Sequence, residues 1–251
     1  AGELACHDLF KHEKRQVVKR IIATLQIGGS VAPYLSEKSE QLQYFDSSLA
    51  HFGVHHFHLG EKRQNFGARA GRVKGTKSLL FARITERDAY LLDILNHDMR
   101  RGFLNLHILR VMWRNWPDSL ESFRLKGVVG VAVKYSDEET AELLENDVNV
   151  IVQLGENQIY MLPGLGTTTA GTPLLAERRV DQTVEKFNRI AHMVSSNPNG
   201  VSSVIKQLTG IRHNVIRLKG RVRAGLLDVY DSNSACVFTT GRENLIVSVP
   251  D

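Results

Sequence analysis

The chain has 251 residues, of which 42% are apolar and 24% charged. That is an ordinary globular composition and excludes disorder, collagen-like repeats and coiled coil. Lys and Arg number 32 against 27 Asp and Glu, a net charge of +5, which admits an anionic partner without requiring one.

Phe10, Val17, Val18, Ile21, Ile22 and Leu25 recur at three- and four-residue spacing and predict an amphipathic helix over Asp8–Gln26, ended by Gly28 and Gly29. Val54–Gly60 reads as a strand whose alternation puts Val54, His56 and His58 on one side and His55, Phe57 and Leu59 on the other. Glu61–Lys77 holds Lys62, Arg63, Arg69, Arg72, Lys74 and Lys77, three glycines and Glu61 as its one acid. It is expected to be a basic, mobile loop without core contacts. Ser78–Thr85 and Ala89–Leu95 predict a hairpin turning at Glu86-Arg87-Asp88. A helix is expected over Leu104–Trp113, stopped before Pro117.

Gly127–Lys134 (GVVGVAVK) reads as a buried strand, its Val128–Val133 stretch far short of the ~20 residues that span a bilayer. Ser136 followed three residues later by Glu139 is a capping box for a helix through Glu145. Strands around Asn149–Leu154 and Gln158–Leu162 flank a turn, and Pro163–Pro173 reads as a linker. It lacks the Lys-Ser/Thr of a phosphate-binding loop, Thr172 and Pro173 standing in those places. A long helix, Leu174–Val194, and a shorter one, Val201–Leu208, follow. Arg212–Leu218, Arg221–Tyr230 and Ala235–Thr240 predict an antiparallel meander with turns at Lys219-Gly220 and Asp231-Ser232-Asn233.

Four of the ten histidines fall within His51–His58, and His97 ends the first meander. Imidazoles titrate near neutrality, so His56, His58 and His97 are candidates to deprotonate a ribose 2′-hydroxyl and protonate the 5′-oxygen leaving group. The basic loop would supply phosphate contacts. The competing reading makes these histidines structural. A third assigns a metal to His56 and His58 with His97 or Asp93, but a single His-x-His is its whole signal. Arg217, Lys219, Arg221 and Arg223 share parity and are expected to line one face of the C-terminal sheet as a nucleic-acid platform, with few aromatics to stack bases.

The run SLLFARITERDAYLLDILNHDMR resembles the core of RelE-like toxins, in which consecutive antiparallel strands end in a short catalytic segment; the correspondence covers about Val54–Arg101. The resemblance implies RNA cleavage without a metal, and by residue type it assigns active groups to Arg83, His97 and Arg100, with His56 and His58 as additions. The chain departs from that family in its length and in its whole C-terminal half.

The expected fold is α+β: antiparallel sheets with packed helices, a RelE-like core in the N-terminal half and a basic β-meander at the C-terminus. Residues 1–165 and 166–251 are the expected domains, or one continuous domain. The expected function is a toxin-like or defence-associated endoribonuclease working by metal-independent acid–base chemistry, with no cofactor. The alternatives are a non-enzymatic nucleic-acid-binding or regulatory protein, and a protein-interaction module with structural histidines. Expected partners are an RNA or DNA backbone and a cognate protein inhibitor or second copy, and no membrane. Cys6 and Cys236 read as free thiols, and no apolar signal core opens the chain, so a reducing, cytoplasmic setting is expected. The start at Ala1 reads as a trimmed N-terminus.

Overall fold

The computed structural model describes residues 9, 12–40, 44–65, 70–85, 87–96, 102–210, 215–223, 226–240 and 245–249. The chain divides into two units, Ala1–Leu175 and Ala176–Asp251. The class is α+β with three antiparallel sheets.

In the first unit β1 (His55–His58), β2 (Ser78–Ile84) and β3 (Ala89–Asn96) pair in the order β1-β2-β3. Alternation along β2 sends Leu79 and Phe81 into one apolar cluster and Leu80 and Ala82 into another. Helix α1 (Arg15–Gln26) brings Val17, Val18 and Ile21 to the second cluster, with Phe57 and Leu59. Phe52 of α2 (Ser47–Phe52) and Ile108, Leu109 and Met112 of α3 (His107–Asn115) fill the first. Both faces of this sheet are covered, which is why β2 is almost continuously apolar. Each large side chain fully buried there contributes ~1.5–3 kcal/mol.

Helix α4 (Asp137–Glu145) starts on the predicted capping box, with Ser136 and Glu139 each accepting from the other's backbone N–H. Strands β4 (Ile151–Gly155) and β5 (Gln158–Met161) form a two-stranded ladder. Residues 127–134 are not a strand: Val128, Val129 and Val133 are exposed, Val129 at 74%. Strand propensity is realised only against a partner, and the free edge of β5 is taken just upstream, where Leu125 N–H donates to Ile159 O and Arg124 bridges Tyr160.

Residues 163–173 are not a linker but a strap folded onto the first unit. The N–H groups of Gly164 and Gly166 donate to the carbonyls of His51 and Ala50, and the Asn149 amide brackets Thr167, accepting from its N–H and donating to its carbonyl. A Cβ on Gly164 would collide with the Leu49 and Ala50 carbonyl oxygens, so only glycine lets the strap lie this close.

The basic loop is also tied down. Val73 is buried and its N–H donates to Pro33 O. Arg72 Nη1 donates to the carbonyls of Ala32, Leu35 and Ser36 at 3.2, 3.0 and 3.2 Å. The expectation of a loop without core contacts is corrected by these bonds: the carbonyls around the 3₁₀ turn Ala32–Tyr34 need donors, and Arg72 supplies one.

In the second unit α5 (Leu174–Ser196, beginning at the end of the first unit) and α6 (Pro198–Thr209) lie on a meander. Its strands β6 (Leu218–Arg223), β7 (Leu226–Asp231), β8 (Val237–Thr240) and β9 (Leu245–Ser248) pair in sequence order. Ile190, Val194, Val201 and Ile205 pack on Val229, Phe238 and the free thiol of Cys236. Lys219-Gly220 is not a turn but the interior of β6. A Cβ on Gly220 would lie 3.2 Å from Leu227 and 3.4 Å from Phe187, so this glycine serves helix–sheet packing. Among the described residues no helix is long and apolar enough to cross a membrane.

Two stability outcomes follow. Gly164→Ala is expected to lower the stability of the first unit by ~1–3 kcal/mol through overpacking, read as a drop in the denaturant midpoint. Arg72→Ala is expected to destabilise by a similar ~1–3 kcal/mol because it removes charge-assisted hydrogen bonds to three carbonyls; an unchanged midpoint would return the loop to a mere surface.

Candidate nucleic-acid interface

The alternation of β6 divides its side chains over Leu218–Arg221, while Val222, of the same parity as Gly220, is 62% exposed near the end of the strand. Leu218 and Gly220 turn toward the helices, while Lys219 and Arg221 stand on the opposite, solvent-facing side. In β7 the same alternation turns Leu227, partly buried, and Val229, fully buried, toward the helices and sets Asp228 and Tyr230, both half-buried, on the other side. The register then places Lys219 opposite Tyr230 and Arg221 opposite Asp228. The Arg221 guanidinium carbon lies 5.4 Å from the centroid of the Tyr230 ring, a cation–π contact. Beyond Tyr230 the row continues through Val237 of β8 to Ser248 of β9. Thr239 pairs with Ile246, which is 52% exposed.

The edge of this face is held by Asp231. Its carboxylate is buried and accepts from the Arg217 N–H at 2.7 Å and from the Ser234 N–H and hydroxyl at 2.9 and 2.7 Å. Burial raises its pKa, but the hydrogen bonds from Ser234, Arg217 and Asn233 outweigh burial and hold it below the usual value. An acid thus anchors the entry to the basic strand without facing outward.

Positive charge is concentrated in the second unit as a whole. Residues 176–251 carry eleven Lys and Arg against seven Asp and Glu, so +4 of the chain's +5 lies in under a third of its length. Of the basic residues expected on this sheet, Lys219 and Arg221 share the exposed face with Tyr230, and Arg217 precedes β6. Arg223 lies in β6 opposite Leu226, and its side chain is outside the described residues. Tyr230 was missed by sequence reasoning. Its signal is the alternation of Leu227-Asp228-Val229-Tyr230, which a turn placed at Lys219-Gly220 throws out of register.

The histidine-bearing strand is a different environment. His56 is 5% exposed, between Phe81 and Phe103, with ring centroids at 6.2 and 4.8 Å. Its Nδ1 lies 3.4 Å from Asp46 Oδ2 and 3.5 Å from Ser48 Oγ. Serine and aspartate therefore meet the same ring nitrogen, whereas a nucleophile triad needs them on opposite nitrogens. Asp46 serves chiefly as the cap of α2, accepting from Leu49 N–H. His58 lines a cavity of about 140 Å³ with Glu37, Gln64 and Arg72, and its Nδ1 accepts from the Thr76 N–H at 3.1 Å. That bond puts the proton of the neutral ring on Nε2.

Arg83 stands apart from both. Its Nη1 donates to Ser119 O at 2.7 Å and its guanidinium sits 5.0 Å over the Phe123 ring, with burial lowering its pKa. Asp93 bonds His107 at 2.7 Å, and among the described residues no three His, Cys, Asp or Glu are grouped to hold a metal. His97, Arg100 and Arg69 lie outside the described residues. Lys62, Arg63, Lys74 and Lys77 are exposed around the tethered loop.

Comparison with family models, with curated proteins and with solved structures finds no match to this chain.

One buried histidine was not singled out by the sequence. His51 of α2 is fully buried, neither ring nitrogen has a hydrogen-bond partner among the described residues, and Phe45 meets it edge-on. Burial pushes its pKa below the ordinary 6.5, opposed by the charge of Asp147. The unfolded chain then binds the proton more readily than the folded one, so the His51 contribution is present above about pH 6.5 and is lost as pH falls below it. Between about pH 7.5 and about pH 5.5, the urea midpoint is expected to fall less in His51→Leu than in the wild type. Equal falls in the two proteins would show that His51 is not the group responsible.

Proposed function

We propose that this protein binds nucleic acid through the solvent-facing side of its C-terminal meander. The single observation that carries this reading is the placement of Lys219 and Arg221 around Tyr230 on one exposed sheet face. Cations neutralise phosphates and release counterions, which supplies affinity without sequence preference. An adjacent aromatic ring adds a surface on which a base can lie. The concentration of net positive charge in residues 176–251 supports the same reading by drawing a polyanion to this unit.

Endoribonuclease chemistry has less support. It asks two histidines to exchange protons with a substrate, and His56 is enclosed by aromatic rings while His58 engages the Thr76 backbone through Nδ1. Binding without cleavage is therefore the preferred reading.

Fluorescence anisotropy across a salt series tests it. The full-length protein is expected to bind labelled oligonucleotides at low salt, with affinity falling linearly on a log–log plot. In the double variant Lys219→Ala/Arg221→Ala that slope is expected to fall by up to ~1.4, two phosphate contacts at ~0.7 each on a single strand. A slope identical to the wild type would remove this face from the interface.

A further inference from the structure

Resting on the nucleic-acid reading, we infer that the face takes a single strand rather than a duplex, with one base stacked on Tyr230 and the phosphates following β6. The face is graded across its four strands. Lys219 and Arg221 lie on the edge strand β6, Tyr230 and Asp228 on β7, Val237 and Thr239 on β8, and Ile246 and Ser248 on β9. Among the described residues of these strands the cations lie on one side, and aromatic, aliphatic and hydroxyl side chains with the Asp228 carboxylate occupy the rest. At ~4.8 Å between strands that floor, from β7 to β9, is about 10 Å wide and the whole face about 14 Å, room for a short run of nucleotides.

A duplex matches this surface poorly. It hides the faces of its bases and presents phosphates, so it would engage the β6 edge alone. Tyr230, Val237 and the exposed Ile246 would gain nothing, and a phosphate passing inward from Arg221 would meet the carboxylate of Asp228. A single strand satisfies every part. Its phosphates lie along Lys219 and Arg221, and its unstacked bases turn inward over the ring and the aliphatic side chains. Asp228, repulsive toward phosphate, is an acceptor for an exocyclic base amine. The Arg221 guanidinium now covers the ring at 5.4 Å. An arriving base takes that place, and the guanidinium, one side-chain swing away, moves to the adjacent phosphate.

The test compares about 12-nucleotide single-stranded RNA, single-stranded DNA of the same sequence and the matching duplex, a length within the ~4–16 nucleotide site sizes of single-strand binders. Proteins are the wild type, Tyr230→Leu and Tyr230→Phe, at full length. Tighter binding of either single strand than of the duplex is expected, and the stronger of the two identifies the preferred sugar. Tyr230→Leu is expected to weaken single-strand binding roughly 5- to 150-fold, the size of one base–aromatic stack, with the salt slope unchanged, and Tyr230→Phe to retain wild-type affinity. Should Tyr230→Leu fail to fold, photo-crosslinking of a bromouridine-bearing strand to the wild type is expected to label the peptide holding Tyr230. Duplex affinity equal to or above that of single strands overturns the inference, as does wild-type affinity in folded Tyr230→Leu or a crosslink confined to other peptides. In each of those cases the nucleic-acid reading stands; absence of binding to all three probes overturns that reading and this one together.

Discussion

Whether a sheet is covered on one face or on two decides what its polar residues can do in this protein. The β1-β2-β3 sheet lies between two apolar clusters, one built with α1 and the other with α2 and α3. A polar side chain on such a sheet is enclosed and must find a partner within the fold. His56 meets Asp46 and Ser48 there, and Arg83 meets the Ser119 carbonyl and the Phe123 ring. Among the described residues, the β6–β9 meander packs against α5 and α6 on one side. Its alternation therefore exposes Lys219 and Arg221 beside the half-buried Tyr230.

The same accounting explains the segments that depart from their local pattern. Residues 127–134 have a strand's composition, but the edge of β5 is taken just upstream by Arg124 and Leu125, and Val128, Val129 and Val133 are exposed. The Gly- and Thr-rich stretch after β5 has a linker's composition, yet its backbone donors are taken by the carbonyls of α2, and Asn149 fixes Thr167. Composition describes what a segment tolerates. The available hydrogen-bonding partners determine what it becomes.

Basic residues divide along the same line. Arg72, from a loop with six cations, is spent on three carbonyls of its own chain. Arg221 covers the Tyr230 ring, a contact of order 0.5–1 kcal/mol at an exposed site. Positive runs in sequence thus separate into cations that hold the fold and cations that stand exposed on it.

The sequence by itself determined the local elements. The spacing of Val17, Val18 and Ile21 marks the inner face of α1, the Ser136–Glu139 pair starts α4, and the apolar runs mark β2 and β3, because each signal lies within a few residues of chain. Parity alone also grouped Lys219 with Arg221. What only the tertiary structure decided was which faces are covered. Gly220 reads locally as a turn, and its packing against Phe187 and Leu227 depends on residues 33 positions before it and seven after. Once β6 runs through that glycine, the register sets Tyr230 beside Lys219. The fate of the histidines was equally non-local, because burial of His56 depends on Phe103, far along the chain, and no spacing rule carries that contact.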